Sequence, residues 1–217
     1  MNISLTERDM DLLAILCCRV ARLTDQQLSR FAQINSPSTG GSIRWVDRLV
    51  KSHLLEQRTV NLPPIREIAG PPHSWRPGQR AIRPIELTEN PVSSAVANTQ
   101  PTPVYFASRL TLNLYGYDQP QPLSHTQLHY DMQVAEVFLH YLCERPVDAK
   151  CWVHSRNVMP GAAYLQDSEC RVFRLINVVD HFTLRKLEQF HDYCCERTLP
   201  YELWHFRHTS GPTESTR

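Results

Sequence analysis

Apolar residues recur at helical spacing in two segments at the start of the chain. In residues 5–22 they form one face, which consists of Leu13, Leu16, Cys17 and Val20. Thr6 precedes this face and has Asp9 three residues later, which is a variant of the capping-box spacing. Thr24 has Gln27 at the same spacing and opens a second face, which consists of Leu28, Phe31 and Ala32. The pattern therefore predicts two capped helices in succession.

A third helix is predicted over Ser42–Ser52, after a stretch rich in turn-forming residues at 35–41. Its apolar stripe consists of Ile43, Val46, Leu49 and Val50. Three basic residues recur on a different face at i, i+4 and i+7, namely Arg44, Arg48 and Lys51. One side of this helix is therefore predicted to pack on the domain, and another side to be cationic.

A strand-like run, His53–Val60, follows the third helix, so the order is helix, turn, basic helix and strand. This is the order of a winged helix-turn-helix, whose recognition helix lies in the major groove of DNA. Long cationic side chains can reach phosphates and base edges from such a helix. The predicted DNA contacts are Arg44, Trp45, Arg48, Lys51 and Arg58, the last of them to the DNA backbone. The alternative is that these residues form the solvated face of an ordinary amphipathic helix.

Residues 61–103 hold nine of the sixteen prolines. Proline lacks a backbone donor, so helix is excluded over most of this stretch. An elongated wing, a mobile insertion or a disordered tether fits this composition. The run Val104–Ala107 then predicts the returning wing strand, and Ser108–Tyr117 predicts a short helix or turn closed by Gly116. A winged-helix domain is therefore predicted over residues 1–122, with 61–103 as its insertion.

The second half of the chain predicts the order helix, three strands, helix and strand. A long helix begins after Ser124, which has Gln127 at capping-box spacing, and ends near Arg145. The remaining elements are predicted at Lys150–Val158, Gly161–Gln166, Cys170–Val179, Thr183–Arg197 (the helix) and Tyr201–Phe206. We therefore predict an α+β protein, with a second domain at residues 123–207 and a flexible tail at 208–217.

Composition and charge limit the possible functions. Hydrophobic residues make up 41% and charged residues 21% of the chain, which is typical of globular proteins. The formal net charge is +1, so any basic surface must be local. The seven cysteines form no CxxC motif, which disfavours a zinc ribbon. The N-terminus has no basic region of a signal peptide, and no apolar run of about 18 residues occurs. We expect a cytoplasmic protein that does not contact a membrane.

Two stretches together resemble a known family. The first is Leu5–Asp9 with the predicted winged helix after it, and the second joins Pro160–Leu165 and Arg174–Asp180 to Leu199–Trp204. This sequence is similar to the replication-relaxation family of plasmids and mobile elements, over roughly residues 5–60 and 104–206. The resemblance implies a winged helix joined to a degenerate nuclease-like domain. It also implies DNA binding in plasmid replication or relaxation, or in transcriptional control of such an element.

The order of helices and strands also resembles that of restriction-type nucleases, so the sequence can be checked for their catalytic residues. Their chemistry needs an acid at the start of one strand and an acid-x-Lys pair on the next, because carboxylates hold Mg²⁺. Gly161 and Asn177 stand at these two places. Asp180 remains, with Lys186 a helical turn away, and one carboxylate holds Mg²⁺ poorly. We therefore predict a catalytically silent domain without metal or cofactor. The alternative is a divergent nuclease that uses Asp180, Glu188 or Glu169 as replacement acids.

Two histidine-containing sets are weaker candidates for metal sites. His125 and His129 are spaced i, i+4, but no HExxH motif surrounds them and no third ligand lies nearby in sequence. His191 with Cys194 and Cys195 could form a thiol-metal or redox site. Cysteine on the buried side of a helix usually serves packing. We expect neither set to form a site.

The leading hypothesis from the sequence is a regulator that acts as a homodimer on double-stranded DNA, with a silent second domain for dimerisation or partner docking. The rival hypothesis is the divergent nuclease. A third is a winged helix that contacts only other proteins, because the fold does not fix the function. The near-neutral net charge favours this third hypothesis.

Overall fold

The structure is a computed structural model that describes residues 4–35, 44–82, 99–117, 125–155, 161–179 and 183–207. It is a mixed helix-and-sheet structure, so the predicted α+β class is confirmed. Residues 208–217, which were predicted to be a flexible tail, lie outside the described residues. Within the described part no helix is long and apolar enough to cross a membrane.

The described part of residues 4–117 contains four helices and four strands. In chain order they are α1 (Glu7–Cys18), β1 (Leu23–Thr24), α2 (Asp25–Asn35), α3 (Val46–Lys51), β2 (Leu55–Leu62), β3 (His73–Trp75), β4 (Gln100–Ala107) and α4 (Arg109–Leu114). Three of the strands form an antiparallel sheet in the order β1-β4-β2. The long β2–β4 pairing joins the strand after α3 to the strand that returns from the Pro-rich segment.

The described part of residues 125–207 contains three helices and four strands. In chain order they are α5 (His125–Glu144), α6 (Pro146–Cys151), β5 (Trp152–His154), β6 (Ala163–Gln166), β7 (Val172–Val178), α7 (Leu184–Glu196) and β8 (Tyr201–Trp204). The second sheet has the order β3-β8-β7-β6-β5. Strands β7 and β8 are parallel, and the other neighbours are antiparallel.

Local hydrogen bonds confirm the helix starts predicted at Thr6 and Thr24, whereas the cap predicted at Ser124 lies outside the described residues. The Thr6 hydroxyl accepts from the Asp9 amide, and the Asp9 carboxylate accepts from the Thr6 amide at 2.7 Å. Thr24 and Gln27 make the same reciprocal pair at 3.1 and 3.2 Å. Thr183 caps α7 through the amide of Lys186. These bonds satisfy amides that have no partner inside the helix.

Three predicted elements differ from the structure. The strand predicted over Lys150–Val158 begins only at Trp152, as β5, because Pro146 at the helix start favours a further helical turn, α6, through Cys151; residues 156–158 lie outside the described part. The helix predicted over Ser42–Ser52 has only the six residues of α3, and residues 42 and 43 lie outside the described part. The Pro-rich insertion was assigned to the first domain, whereas its strand β3 pairs with β8 of the second sheet.

One continuous apolar cluster runs through both halves of the chain. It contains Leu16 of α1, Leu28 of α2, Phe138 of α5 and Ile176 of β7, all almost fully buried. A second cluster lies under α7, where Leu187, Phe190 and Cys194 pack against Leu175, Leu203 and Trp75. Trp75 belongs to β3, so the Pro-rich segment supplies part of this second core.

Polar contacts also join the two halves, where α2 and the loop before it meet α5. Arg22 and Asp131 form an ion pair whose side chains are 4% and 0% exposed. Arg30 pairs with Glu136, and Gln27 donates to the Met132 carbonyl at 2.8 Å. Burial, with the nearby positive charge of Arg58, lowers the pKa of Arg22 to about 10. Arg22 therefore stays charged at neutral pH, and its charge is balanced by Asp131.

Candidate nucleic-acid interface

The short helix α3 divides into a buried side and an exposed side. Val46 and Leu49 are fully buried in the apolar cluster that also contains residues of α1 and of the first sheet. The exposed residues are Arg44, Asp47, Arg48 and Lys51, which follow each other at i, i+3, i+4 and i+7. Arg44 lies in the turn before α3 and the others lie on the helix. The three basic residues singled out in the sequence therefore share a solvent-facing side, together with one acidic residue.

Arg48 is held by the start of α1. Its guanidinium pairs with the buried Asp9 carboxylate and donates to the Ser4 carbonyl at 3.1 Å. Burial acts to raise the pKa of Asp9, but hydrogen bonds from Thr6 and Arg48 outweigh it and hold the pKa below its usual value. Arg48 is therefore a positioned and partly neutralised cation rather than a free phosphate contact.

Trp45 is half-buried in the same region. The guanidinium of Arg8 lies over the indole ring, 4.0 Å from its centroid, which is a cation–π contact. This contact and the Arg48–Asp9 pair fasten the two sides of α3 to the first turn of α1. Arg8 was missed in the sequence because its partner Trp45 lies far along the chain and helical spacing does not connect them.

Arg58 lies away from α3 in the middle of β2. It is exposed, pairs with Glu56 at 3.1 Å, and its guanidinium lies 5.2 Å from the centroid of the Phe106 ring on β4. An exposed pair of this kind contributes little to stability. The structure therefore brings together Arg44, Arg48 and Lys51 and leaves Arg58 on the surface of the first sheet.

Arg44 and Lys51 differ from the other predicted contacts. Each is exposed and makes no ion pair within the described part of the chain. Their charges are fully available to a ligand in solution, and counter-ions there can be displaced. Asp47, on the same side, also has no such pair, so the local excess from these three residues is one positive charge.

The position at which the nuclease resemblance expects an acid on β7 holds a neutral group. Asn177 on β7 is 1% exposed, and its Oδ1 accepts from the Tyr130 hydroxyl at 2.9 Å and from the Val178 amide at 2.9 Å. Its Nδ2 has no hydrogen-bond partner among the described residues. Burial raises the pKa of Tyr130, so its phenol stays protonated at neutral pH. A neutral amide and a neutral phenol therefore stand where a carboxylate is needed to hold Mg²⁺.

Gly161, at the other expected acid position, leaves little room for a side chain. Its φ is +111°, and a Cβ built there would lie 3.1 Å from the Ile176 carbonyl oxygen. Few residues other than glycine tolerate this conformation. Glu169 is exposed and paired with Arg171 at 3.0 Å, Glu188 is exposed on α7, and Asp180 lies outside the described residues.

Of the candidate set His191, Cys194 and Cys195, only His191 and Cys195 are in contact. His191 Nε2 lies 3.2 Å from Cys195 Sγ, and His191 Nδ1 lies 3.0 Å from the Tyr201 hydroxyl. Burial, with the charge of Asp192, raises the pKa of Cys195, which disfavours a reactive thiolate. Cys194 is buried in the core under α7. Among the described residues, no three or more His, Cys, Asp or Glu side chains are grouped to hold a metal ion.

A polar cleft of about 330 Å³ lies between α2, α5 and the segment 65–68. Its charged lining consists of Arg30, Arg66, Glu67 and Glu136, with His140 beside them. Two positive and two negative groups balance each other, and Arg30 is already paired with Glu136. The cleft therefore shows no preference for an anion or a cation.

Comparisons with protein-family models, with curated proteins and with solved structures find no match to this chain. The α3 side and the chemistry of its residues therefore carry the functional argument.

Proposed function

We propose that this chain binds double-stranded DNA through a winged helix-turn-helix in its first half. Support comes from the order α1-β1-α2-α3-β2-β4 and from the sheet order β1-β4-β2. In a winged helix, the helix before the long antiparallel pair is the one that enters the major groove. Here that helix is α3.

The observation that carries the proposal is the exposed side of α3. Arg44 and Lys51 lie there without ion pairs in the described part, and Arg48 stands between them on the same side. Lysine and arginine bind phosphates through charge and hydrogen bonds, and each neutralised phosphate releases counter-ions. The contacts with Asp9 and Arg8 fix α3 on α1, which pre-orders the surface before DNA arrives.

The second half of the chain is proposed to be a catalytically silent α/β unit. Its order of two helices, three strands, helix and strand, with β7 parallel to β8, supports a nuclease-like ancestry. The neutral Asn177 and the crowded Gly161 support the loss of metal-dependent cleavage. We further propose a role in replication, relaxation or transcription of a plasmid or mobile element, which rests on the sequence resemblance alone.

The proposal is tested by fluorescence-anisotropy titration of mixed-sequence duplex DNA with the full chain at low salt. The variant Arg44→Ala/Lys51→Ala should bind about tenfold more weakly, because two phosphate contacts are lost. The matched control is Arg185→Ala/Lys186→Ala, which removes two exposed cations from α7 and should leave affinity unchanged. Equal affinity of the wild type and the α3 variant would refute the proposed surface.

A nuclease assay separates the proposal from its main rival. The full chain is incubated with supercoiled plasmid and Mg²⁺, and nicked or linear product is measured. We expect none. Cleavage that disappears in Asp180→Ala would overturn the assignment of the second half as silent.

A further inference from the structure

We propose that α1 and α4 form a self-association surface, on which two copies of this chain meet around a twofold axis. The surface is defined by the apolar residues Met10, Leu110 and Leu114 and by the charged residues Glu7, Asp11 and Arg109. We call it the α1–α4 surface. This contact forms without DNA, so an experiment can refute it without refuting DNA binding.

The apolar part of this surface is unusual for the described chain. Leu110 and Leu114 are 54% and 72% exposed and lie one turn apart on the same side of α4. Met10 on α1 is 46% exposed. The half-buried Tyr115 joins the two helices, because its hydroxyl donates to the Met10 carbonyl at 3.4 Å. The other large exposed apolar residues, Val147, Phe173 and Leu184, stand on three separate elements.

The charges beside these residues are complementary to each other. Glu7 and Asp11 lie exposed on α1, and neither makes an ion pair within the described residues. Arg109, the first residue of α4, is also exposed and also makes none there. The α1 side of the surface therefore carries two acidic residues, and the α4 side carries a basic one.

A second copy of the chain fits this arrangement. A twofold axis between α1 and α4 places α1 of one copy beside α4 of the other, so each acidic edge meets the partner's Arg109. Leu110 and Leu114 of both copies then lie at the centre, where they exclude water. An unlike partner would need its own matching acidic and basic edges, whereas a second copy has them already.

The apolar centre is tested by sedimentation-velocity analysis of the full chain without DNA, over a range of concentrations. The wild type should dimerise, and Leu114→Glu should raise the dimer Kd at least tenfold. Leu184→Glu is the matched control, since it places the same charge at an exposed leucine on α7 and should leave the Kd unchanged. A wild type that stays monomeric up to about 100 µM, or an equal loss in both variants, would overturn the proposal.

A charge exchange tests the orientation of the two copies. Arg109→Glu alone should weaken the dimer several-fold, because it sets like charges against the partner's Glu7 and Asp11. Adding Asp11→Arg should restore most of the affinity, since the exchanged charges again oppose each other across the axis. If the double variant is weaker than Arg109→Glu, the copies do not meet in this way. Circular dichroism confirms that each variant keeps its helices.

Discussion

The exposed side of α3 and the surroundings of Asn177 place their polar side chains differently. On α3 the cations face solvent, and Arg44 and Lys51 are left without ion pairs in the described part. In the second half Asn177 is buried and neutral, and its amide oxygen accepts from the half-buried Tyr130 hydroxyl. Exposed charge is suited to a charged ligand, whereas a buried neutral pair can hold a fold together without holding a metal. The cations of α3 are therefore accessible to a ligand, whereas the amide oxygen of Asn177 is already used inside the fold.

The largest change in stability is expected when the polar contacts between the two halves are broken at Asp131 of α5. Asp131→Asn removes the carboxylate that pairs with the buried Arg22, and removing one member of a buried ion pair is strongly destabilising. We expect the free energy of unfolding to fall by about 3–5 kcal/mol, measured by urea denaturation. Glu144→Gln, at an exposed position of the same helix, should change it by less than about 0.5 kcal/mol. Equal stability of Asp131→Asn and the wild type would show that the pair does not couple the halves.

Burial of His205 in the second half also predicts that the free energy of unfolding depends on pH. Burial, with the neighbouring His73, lowers the pKa of His205 to about 4, from an ordinary value near 6.5. Between these values the unfolded chain binds a proton that the folded chain does not, so stability should fall as pH decreases from about 6.5 to about 4. The loss is on the order of 2–3 kcal/mol for this residue.

Urea denaturation at a series of pH values measures this effect. His205→Asn should flatten the pH dependence in that window. His53→Asn is the control, since His53 is exposed and its φ of +56° suits asparagine. A wild-type stability that is constant from pH 6.5 to 4 would contradict the burial argument.

Placing an acid at Gly161 should destabilise the fold rather than create a metal site. Gly161→Asp forces a side chain into a φ of +111° and against the Ile176 carbonyl. We expect a loss of about 1–3 kcal/mol in thermal or urea unfolding and no Mg²⁺-dependent stabilisation. Gly70→Asp is the control, because a Cβ there has nothing within 4 Å. Stabilisation of Gly161→Asp by Mg²⁺ would mean that a metal site persists.

The smallest expected effect concerns the charge balance of α3. Asp9→Asn removes the negative charge that pairs with Arg48, so DNA affinity should rise about two- to threefold at low salt. The same change should reduce stability by about 1 kcal/mol, because the cap and the ion pair of Asp9 are weakened. Glu188→Gln, which removes an exposed charge from α7, should change neither quantity. Weaker DNA binding by Asp9→Asn would show that positioning of Arg48 matters more than its free charge.

The sequence predicts the helix starts of this molecule but not the contacts between residues that are far apart in the chain. Thr6 with Asp9 and Thr24 with Gln27 are three residues apart, so their spacing alone identifies both helix starts. The pairing of β3 with β8 was not predicted, because a three-residue strand among prolines carries almost no periodic signal.

The candidate site shows the same limit. The exposed side of α3 follows from helical spacing, so Arg44, Arg48 and Lys51 could be grouped from the sequence. The partner of Arg48 could not, because Asp9 lies 39 residues away. Arg22 and Asp131 are 109 residues apart, and only the folded chain brings them together.

The salt dependence of duplex DNA binding, measured by anisotropy from about 50 to 200 mM salt, tests whether α3 contacts DNA phosphates. We expect log K to fall steeply with log salt for the wild type. In Arg44→Ala/Lys51→Ala the slope should be shallower by about 1.8, since each lost phosphate contact removes about 0.9. A wild type that does not bind at 50 mM salt, or an identical slope in the variant, would contradict it.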